Sequence, residues 1–99
     1  MTTPLQYDVV HRPGHERYEA RTPDGEVVGT LEYVRREDGL VEMPHTVVPP
    51  EHGGQGIAGA LARRALDDAR AEGLRVVPTC WYVDGWIARH PDYQDLVAR

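Results

Sequence analysis

The sequence predicts an α/β (α+β) fold: antiparallel strands first, then a long helix, a fifth strand and a short C-terminal helix on one mixed sheet. Three observations carry that expectation. In the first half, apolar and polar residues alternate in short runs separated by turn signals. From Ile57 to Glu72 the apolar spacing lengthens to that of a helix. Leu74 to Val77 then forms a short apolar run, and a strand–helix–strand order implies a right-handed crossover between parallel strands.

The strands follow in order. Leu5, Tyr7 and Val9 alternate with polar neighbours up to a turn at Arg12-Pro13-Gly14. A second strand from about His15 to Arg21 stops at Thr22-Pro23-Asp24-Gly25, where proline, aspartate and glycine together demand a tight turn. Glu26 to Val34 is the third, with Val27, Gly29, Leu31 and Tyr33 on one face and Val28, Thr30, Glu32 and Val34 on the other. After Arg36-Glu37-Asp38-Gly39 comes the fourth, Leu40 to Val48. Pro44 lies inside it; proline cannot donate to a ladder, so it belongs at an edge, a bulge or a place where strands splay apart.

In the helix, Ala58, Leu61, Ala62, Ala65, Leu66 and Ala69 recur at helical spacing. Arg63–Asp67 and Arg64–Asp68 are i,i+4 pairs on the other side, and Gly73 is the expected residue past the end. A second helix is expected from Asp84 to Arg89, broken by His90-Pro91.

Composition bounds the function. The 99 residues suffice for one domain, 1–99. A net charge of −5 without a basic run argues against nucleic acid as partner. No apolar run approaches the roughly 20 residues that span a bilayer, and Met1-Thr2-Thr3-Pro4 does not resemble a secretory signal. Cys80 is the single cysteine, so a cytoplasmic protein without metal is expected.

The main functional signal is Gly53-Gly54-Gln55-Gly56-Ile57-Ala58-Gly59, which joins the fourth strand to the long helix. Glycines allow positive φ and close approach of a ligand to the backbone, and the helix behind them presents unpaired N–H groups and the positive end of its dipole. Together these form a phosphate site; the bland alternative is a glycine-rich turn entering a helix. Gly54-x-Gly56-x-x-Gly59 formally matches a dinucleotide fingerprint, but four antiparallel strands precede it and Val76-Val77-Pro78-Thr79 offers no carboxylate for a ribose. A P-loop is excluded because Ile57-Ala58 stands where Lys-Ser/Thr would be needed.

The stretch from Val47 to Leu61 resembles the acetyl-CoA motif of the GNAT superfamily of N-acetyltransferases, in which a strand is followed by Arg/Gln-x-x-Gly-x-Gly/Ala and a helix. Here the core reads Gly53-x-x-Gly56-x-Ala58, with glycine where arginine or glutamine is usual. Val76-Val77-Pro78-Thr79-Cys80-Trp81-Tyr82-Val83 and Ile87-Ala88-Arg89-His90-Pro91-Asp92-Tyr93 resemble a subgroup of very short GNAT-like proteins, with Asp84-Gly85-Trp86 departing from its small helix formers. The resemblance implies a GNAT-like sheet and acetyl-CoA as co-substrate. It implies a pyrophosphate held by Gly53, Gly54, Gln55, Gly56, Ile57, Ala58 and Gly59, and pantetheine paired with the backbone of Val47 and Val48. Arg63 or Arg64 would reach a cofactor phosphate, or serve only as helix ion pairs.

The implied chemistry is direct attack of an amine on the thioester. A protonated amine needs a base, and His45, on the fourth strand, is the first candidate because histidine is the side chain most often used for proton transfer. By simple alternation it shares a face with Val41, Met43 and Val47; its alternative role is a structurally bonded strand histidine. Glu42 is a second candidate base, or a solvated strand residue. Cys80 is a nucleophile, part of the pocket wall or simply a buried, apolar-like cysteine, and Tyr82 or Tyr93 a proton donor to the leaving thiolate or a packed aromatic. Trp81 and Trp86 are expected in the core or at a pocket edge. An amine acetyltransferase, with a small-molecule or protein acceptor, is the first functional reading. An acetyl-CoA or CoA-binding protein without efficient turnover is the second, and an interaction domain without cofactor a third. Monomer and homodimer are both compatible with exposed strand edges.

Overall fold

A computed structural model describes residues 5–98. Strands β1 (Asp8–Arg12), β2 (Arg17–Arg21), β3 (Val27–Arg35) and β4 (Leu40–Val47) pair antiparallel in sequence order. Helix α1 (Ile57–Ala71) crosses over to β5 (Arg75–Val77), which lies parallel to β4. Helix α2 (Trp81–Arg89) follows, and a 3-10 segment (Pro91–Leu96) brings Val97 beside Val76. This is the mixed α/β sheet that the sequence predicts. The first strand begins later than Leu5. Helix α2 begins at Trp81, earlier than expected, because Cys80 is extended and the next nine residues all turn helical. No helix among the described residues is long and apolar enough to cross a membrane.

One face of the sheet carries the core. Ile57, Leu61, Ala62, Ala65, Leu66 and Ala69 of α1 are buried, as the helical spacing requires, against an inner face that includes Tyr18, Leu31, Tyr33, Val41 and Met43. Each large apolar side chain buried here contributes about 1.5–3 kcal/mol. Val83, Trp86 and Ile87 of α2 join the same cluster. At the other end of the sheet, Tyr18 donates to Asp68 on α1 at 2.8 Å, and His11 meets the Tyr33 hydroxyl at 2.7 Å, tying β1 to β3.

Two irregularities reset the faces. Opposite Ala20 and Arg21, β3 carries one extra residue, because Ala20 pairs with Gly29 while Arg21 pairs with Val27. Val28 is therefore a bulge residue and is buried, whereas Val27 is exposed, against simple alternation. Between β3 and β4, Glu32 pairs with His45 and Val34 with Glu42, so Tyr33 faces both Met43 and Pro44. Pro44 thus occupies a bulge. Beyond it β4 continues with its β5 side open, since β5 pairs only with Leu40–Glu42.

The face opposite α1 buries one charge. Glu19 is fully buried and each carboxylate oxygen takes one arginine: Arg17 Nε donates at 2.7 Å and Arg21 Nε at 2.8 Å. Burial opposes the charged form, but the hydrogen bonds and charges of Arg21 and Arg17 outweigh it and hold this carboxyl below its ordinary range. A carboxyl with a lowered folded value adds stability above its unfolded value near 4.5, and that stability is lost as pH falls through the folded value. Glu19→Gln is expected to lower urea-unfolding stability by about 2 kcal/mol at pH 7. The deficit should shrink steadily as both proteins are titrated below pH about 4.5; a pH-independent deficit would rule out this origin.

Candidate functional site

The site begins where β4 ends. A 3-10 turn, Pro50–His52, leads into the glycine segment, and Gly56 is the N-cap of α1. Gly54 and Gly56 have φ of +78° and +75°, a region that disfavours any side chain, and Cβ atoms at both would point into open space. Gly53 has an ordinary φ of −64°, and its N–H is already spent on the Pro50 carbonyl at 3.0 Å. Gly53 therefore shapes the turn and donates nothing to a ligand. Gly54, Gln55 and Gly56 and the first-turn residues Ile57, Ala58 and Gly59 are different. The first helical bond is made by the Ala60 N–H to Gly56 O, no side chain caps the helix, and no acceptor among the described residues meets those earlier N–H groups. All of them but Gln55 line, with Gly53, a cleft of about 250 Å³ whose other walls are Val48, His52 and Tyr82. The site is thus a fan of free donors at the positive end of a 15-residue helix.

Sequence reasoning missed the residue that sets this turn against the sheet. A Cβ on Gly29 of β3 would lie 2.6 Å from Ile57 Cγ2, 3.2 Å from Leu61 Cδ1 and 3.3 Å from Val48 Cγ2. Glycine here lets the first turn of α1 and the end of β4 pack directly on the β3 backbone. The signal was available, since a glycine inside a strand marks a bulge or a close approach.

Among the described residues, the β5 side of β4 makes one backbone bond from Met43 onward, Cys80 N–H to Met43 O at 3.0 Å. The backbone up to Val47 is therefore open on that side, next to the glycine turn; Val48 lies just past the strand and turns its side chain to Gly29 and the cleft. His45 and Cys80 are not brought together. The bulge at Met43–Pro44 shifts His45 to the face opposite α1, paired with exposed Glu32, so it shares a face with Val47 but not with Val41 and Met43 as alternation implied. Thr46 projects the other way, and the buried Cys80 thiol donates to its hydroxyl at 3.6 Å.

The remaining candidates separate cleanly. Glu42 is salt-bridged by Arg36 and accepts from Thr79; Arg36 first and Thr79 second hold its carboxyl below the ordinary range, unsuited to a base near neutrality. Tyr93 donates to Asp67 at 2.7 Å and accepts from Arg63 at 3.2 Å, so it bridges the expected Arg63–Asp67 pair and stands committed to α1. Tyr82 lines the cleft, with its hydroxyl 3.5 Å from where a Cβ on Gly59 would be. Burial pushes this phenol up, so it remains a proton donor. Arg64 bonds Asp68 at 3.1 Å and the Val9 carbonyl at 3.2 Å, away from the turn. Trp86 is buried as expected, but Trp81 is 84% exposed at the start of α2.

Residues 17–96 match the family model described as GCN5-related N-acetyl-transferase. Protein NATD1 of Bos taurus is 42% identical over 60 residues, covering 61% of this chain and 51% of the bovine protein. The chain spans about half the length of the curated relatives it matches. A GCN5-like protein of Staphylococcus aureus has a TM-score of 0.70 over 98% of this chain and 91% of its own; at 18% identity it shows the shared fold. Rv2747 of Mycobacterium tuberculosis, solved in complex with CoA, has a TM-score of 0.64 and 32% identity, covering 77% of this chain and 47% of that protein.

Gly29→Ala tests the packing that places the turn. The added methyl forces Ile57 and the start of α1 outward, and an overpacked site of this kind costs about 1–3 kcal/mol. Thermal and urea unfolding should show that loss, and a variant as stable as wild type would show that the turn is seated by something else.

Proposed function

The chain belongs to the GCN5-related N-acetyltransferase family, and from that premise we propose that it transfers an acetyl group from acetyl-CoA to an amine. One observation carries the proposal: the free amides from Gly54 to Gly59 lie beside the open backbone edge of β4. A pyrophosphate and an extended amide-bearing arm need those two surfaces side by side, and Rv2747, of the same fold, was solved with CoA. The residues fit the cofactor. Gly54 and Gly56 leave room where any Cβ would crowd a phosphate, and the amides of Gln55, Ile57, Ala58 and Gly59 supply donors. The backbone of Val47 and Val48 holds the pantetheine arm. Acetyl-CoA supplies the activated acyl group.

This chain's own groups then have distinct tasks. A backbone N–H at the open edge near Val47 faces the developing oxyanion, an electrostatic contribution of about 3 kcal/mol in favourable sites. His45, exposed on the open face, accepts the proton of the incoming amine, directly or through a water. Tyr82, protonated and at the cleft wall, donates to the departing thiolate. Cys80, buried and bonded to Thr46, forms the wall behind the acetyl group. A second reading, CoA binding without efficient turnover, draws on the placement of His45 and Cys80 on opposite sides of β4.

Titration calorimetry with CoA and acetyl-CoA decides the cofactor. Wild type should bind at micromolar affinity, and Gly56→Glu, which puts a side chain and a negative charge at a residue of φ +75°, should abolish binding. Folded wild-type protein that binds neither compound would sink the proposal. Given binding, thiol release in the presence of an amine panel should fall roughly 100-fold in His45→Ala and less than about 10-fold in Cys80→Ala. Binding without release for any amine would favour the second reading.

A further inference from the structure

At the fork where β4 and β5 part, one side chain grips both arms. Glu42 is the last residue of β4 paired with β5, opposite Val77. Its side chain is 15% exposed and each carboxylate oxygen has its own donor. Oε1 accepts from Arg36 Nε at 2.9 Å and also from Arg36 Nη2, out of the turn before β4. Oε2 accepts from the Thr79 hydroxyl at 2.7 Å, in the segment between β5 and α2. The contacts then step along both arms: Cys80 N–H to Met43 O at 3.0 Å, and Cys80 Sγ to Thr46 Oγ1 at 3.6 Å. Among the described residues, the Thr79–Glu42 bond and these two are the hydrogen bonds that join the segment from Thr79 to the end of α2 to β4. The opening between β4 and the start of α2 is therefore set by this short series, and Glu42 is the member anchored from a third element.

We propose that Glu42 is a positioning residue: held by Arg36, it pins Thr79 and so fixes Cys80 and the first turn of α2 at the distance from β4 that the acetyl end of the cofactor requires. Its catalytic consequence rests on the acetyl-transfer reading; its structural part does not. Glu42 touches neither cofactor nor acceptor and acts through Thr79 and Cys80.

The single cysteine makes the pin directly measurable. Thr79 is exposed, so Thr79→Val removes its hydroxyl at little cost to folding, and Thr79→Ser restores it. Reaction of Cys80 with 5,5′-dithiobis(2-nitrobenzoate) should be roughly five-fold faster in Thr79→Val than in wild type, the loss of one hydrogen bond, and within about two-fold of wild type in Thr79→Ser. Glu42→Gln should add less in the Thr79→Val background than alone, because the two changes break the same contact. In the transfer assay, Thr79→Val should lower kcat roughly ten-fold with KM for acetyl-CoA and CoA affinity unchanged, and Thr79→Ser should recover the rate. Equal thiol rates in wild type and Thr79→Val, or a Thr79→Ser variant that behaves like Thr79→Val, would overturn the pin. A kcat unchanged in Thr79→Val would overturn its catalytic part. Should wild type release no thiol with any amine, the transfer reading fails, while the thiol rates still decide the pin.

Discussion

The structure turns on the parting of β4 from β5. A parallel pair wants continuous hydrogen bonding, yet here it lasts only across Leu40–Glu42 and Arg75–Val77. Two features end it. Pro44 sits in a bulge that adds a residue to β4 just past the last pair, and Pro78 follows Val77 directly on the other arm. Once the arms separate, the rest of β4 keeps its β3 partner and leaves its other edge open. Open backbone inside a sheet is costly unless something completes it, which is why this edge reads as a binding surface.

The glycine turn is useful only because it is held at the end of that open edge. Its placement comes from the core. Gly29 lets Ile57, Leu61 and Val48 approach the β3 backbone, so the same contacts that bury α1 also aim its N-terminus. At the far end of α1, Tyr18–Asp68 and Arg64–Val9 fasten the helix to β2 and to the edge strand. A helix anchored in this way keeps its free amides fixed in place, the pre-organisation that the proposed cofactor site would draw on.

The C-terminal motif has a structural account. His90 stacks on Trp86 at 3.7 Å between ring centroids and its Nδ1 donates to the Trp86 carbonyl at 2.7 Å, closing α2. Tyr93 packs edge-on to Trp86 and bonds Asp67, while Arg70 is salt-bridged to Asp95. Arg63 lies over Trp86 and Tyr93. The Arg-His-Pro-x-Tyr ending therefore clamps α2 and the following 3-10 segment onto α1, and through α2 it holds Tyr82 at the cleft.

Element order, the antiparallel-then-parallel sheet, the apolar stripe of α1 and the glycine turn at its start were legible in the sequence because each depends on local periodicity or on φ preferences of single residues. Pro44 even announced an irregularity. What the sequence could not say was which side of β4 each later residue faces, because one bulge residue inverts every subsequent side chain. That inversion placed His45 and Cys80 on opposite sides, and it came from how β3 and β4 pair across the sheet. Gly53 and Gly54 look alike in sequence, but only the folded turn spends the N–H of one and frees the other. Glu42, a plausible base when read alone, became a fork pin once Arg36 and Thr79 arrived from distant points of the chain. Local chemistry determined the elements and the glycine turn; long-range packing, which alone brings separate segments within hydrogen-bond reach, decided the partners of each polar side chain around them.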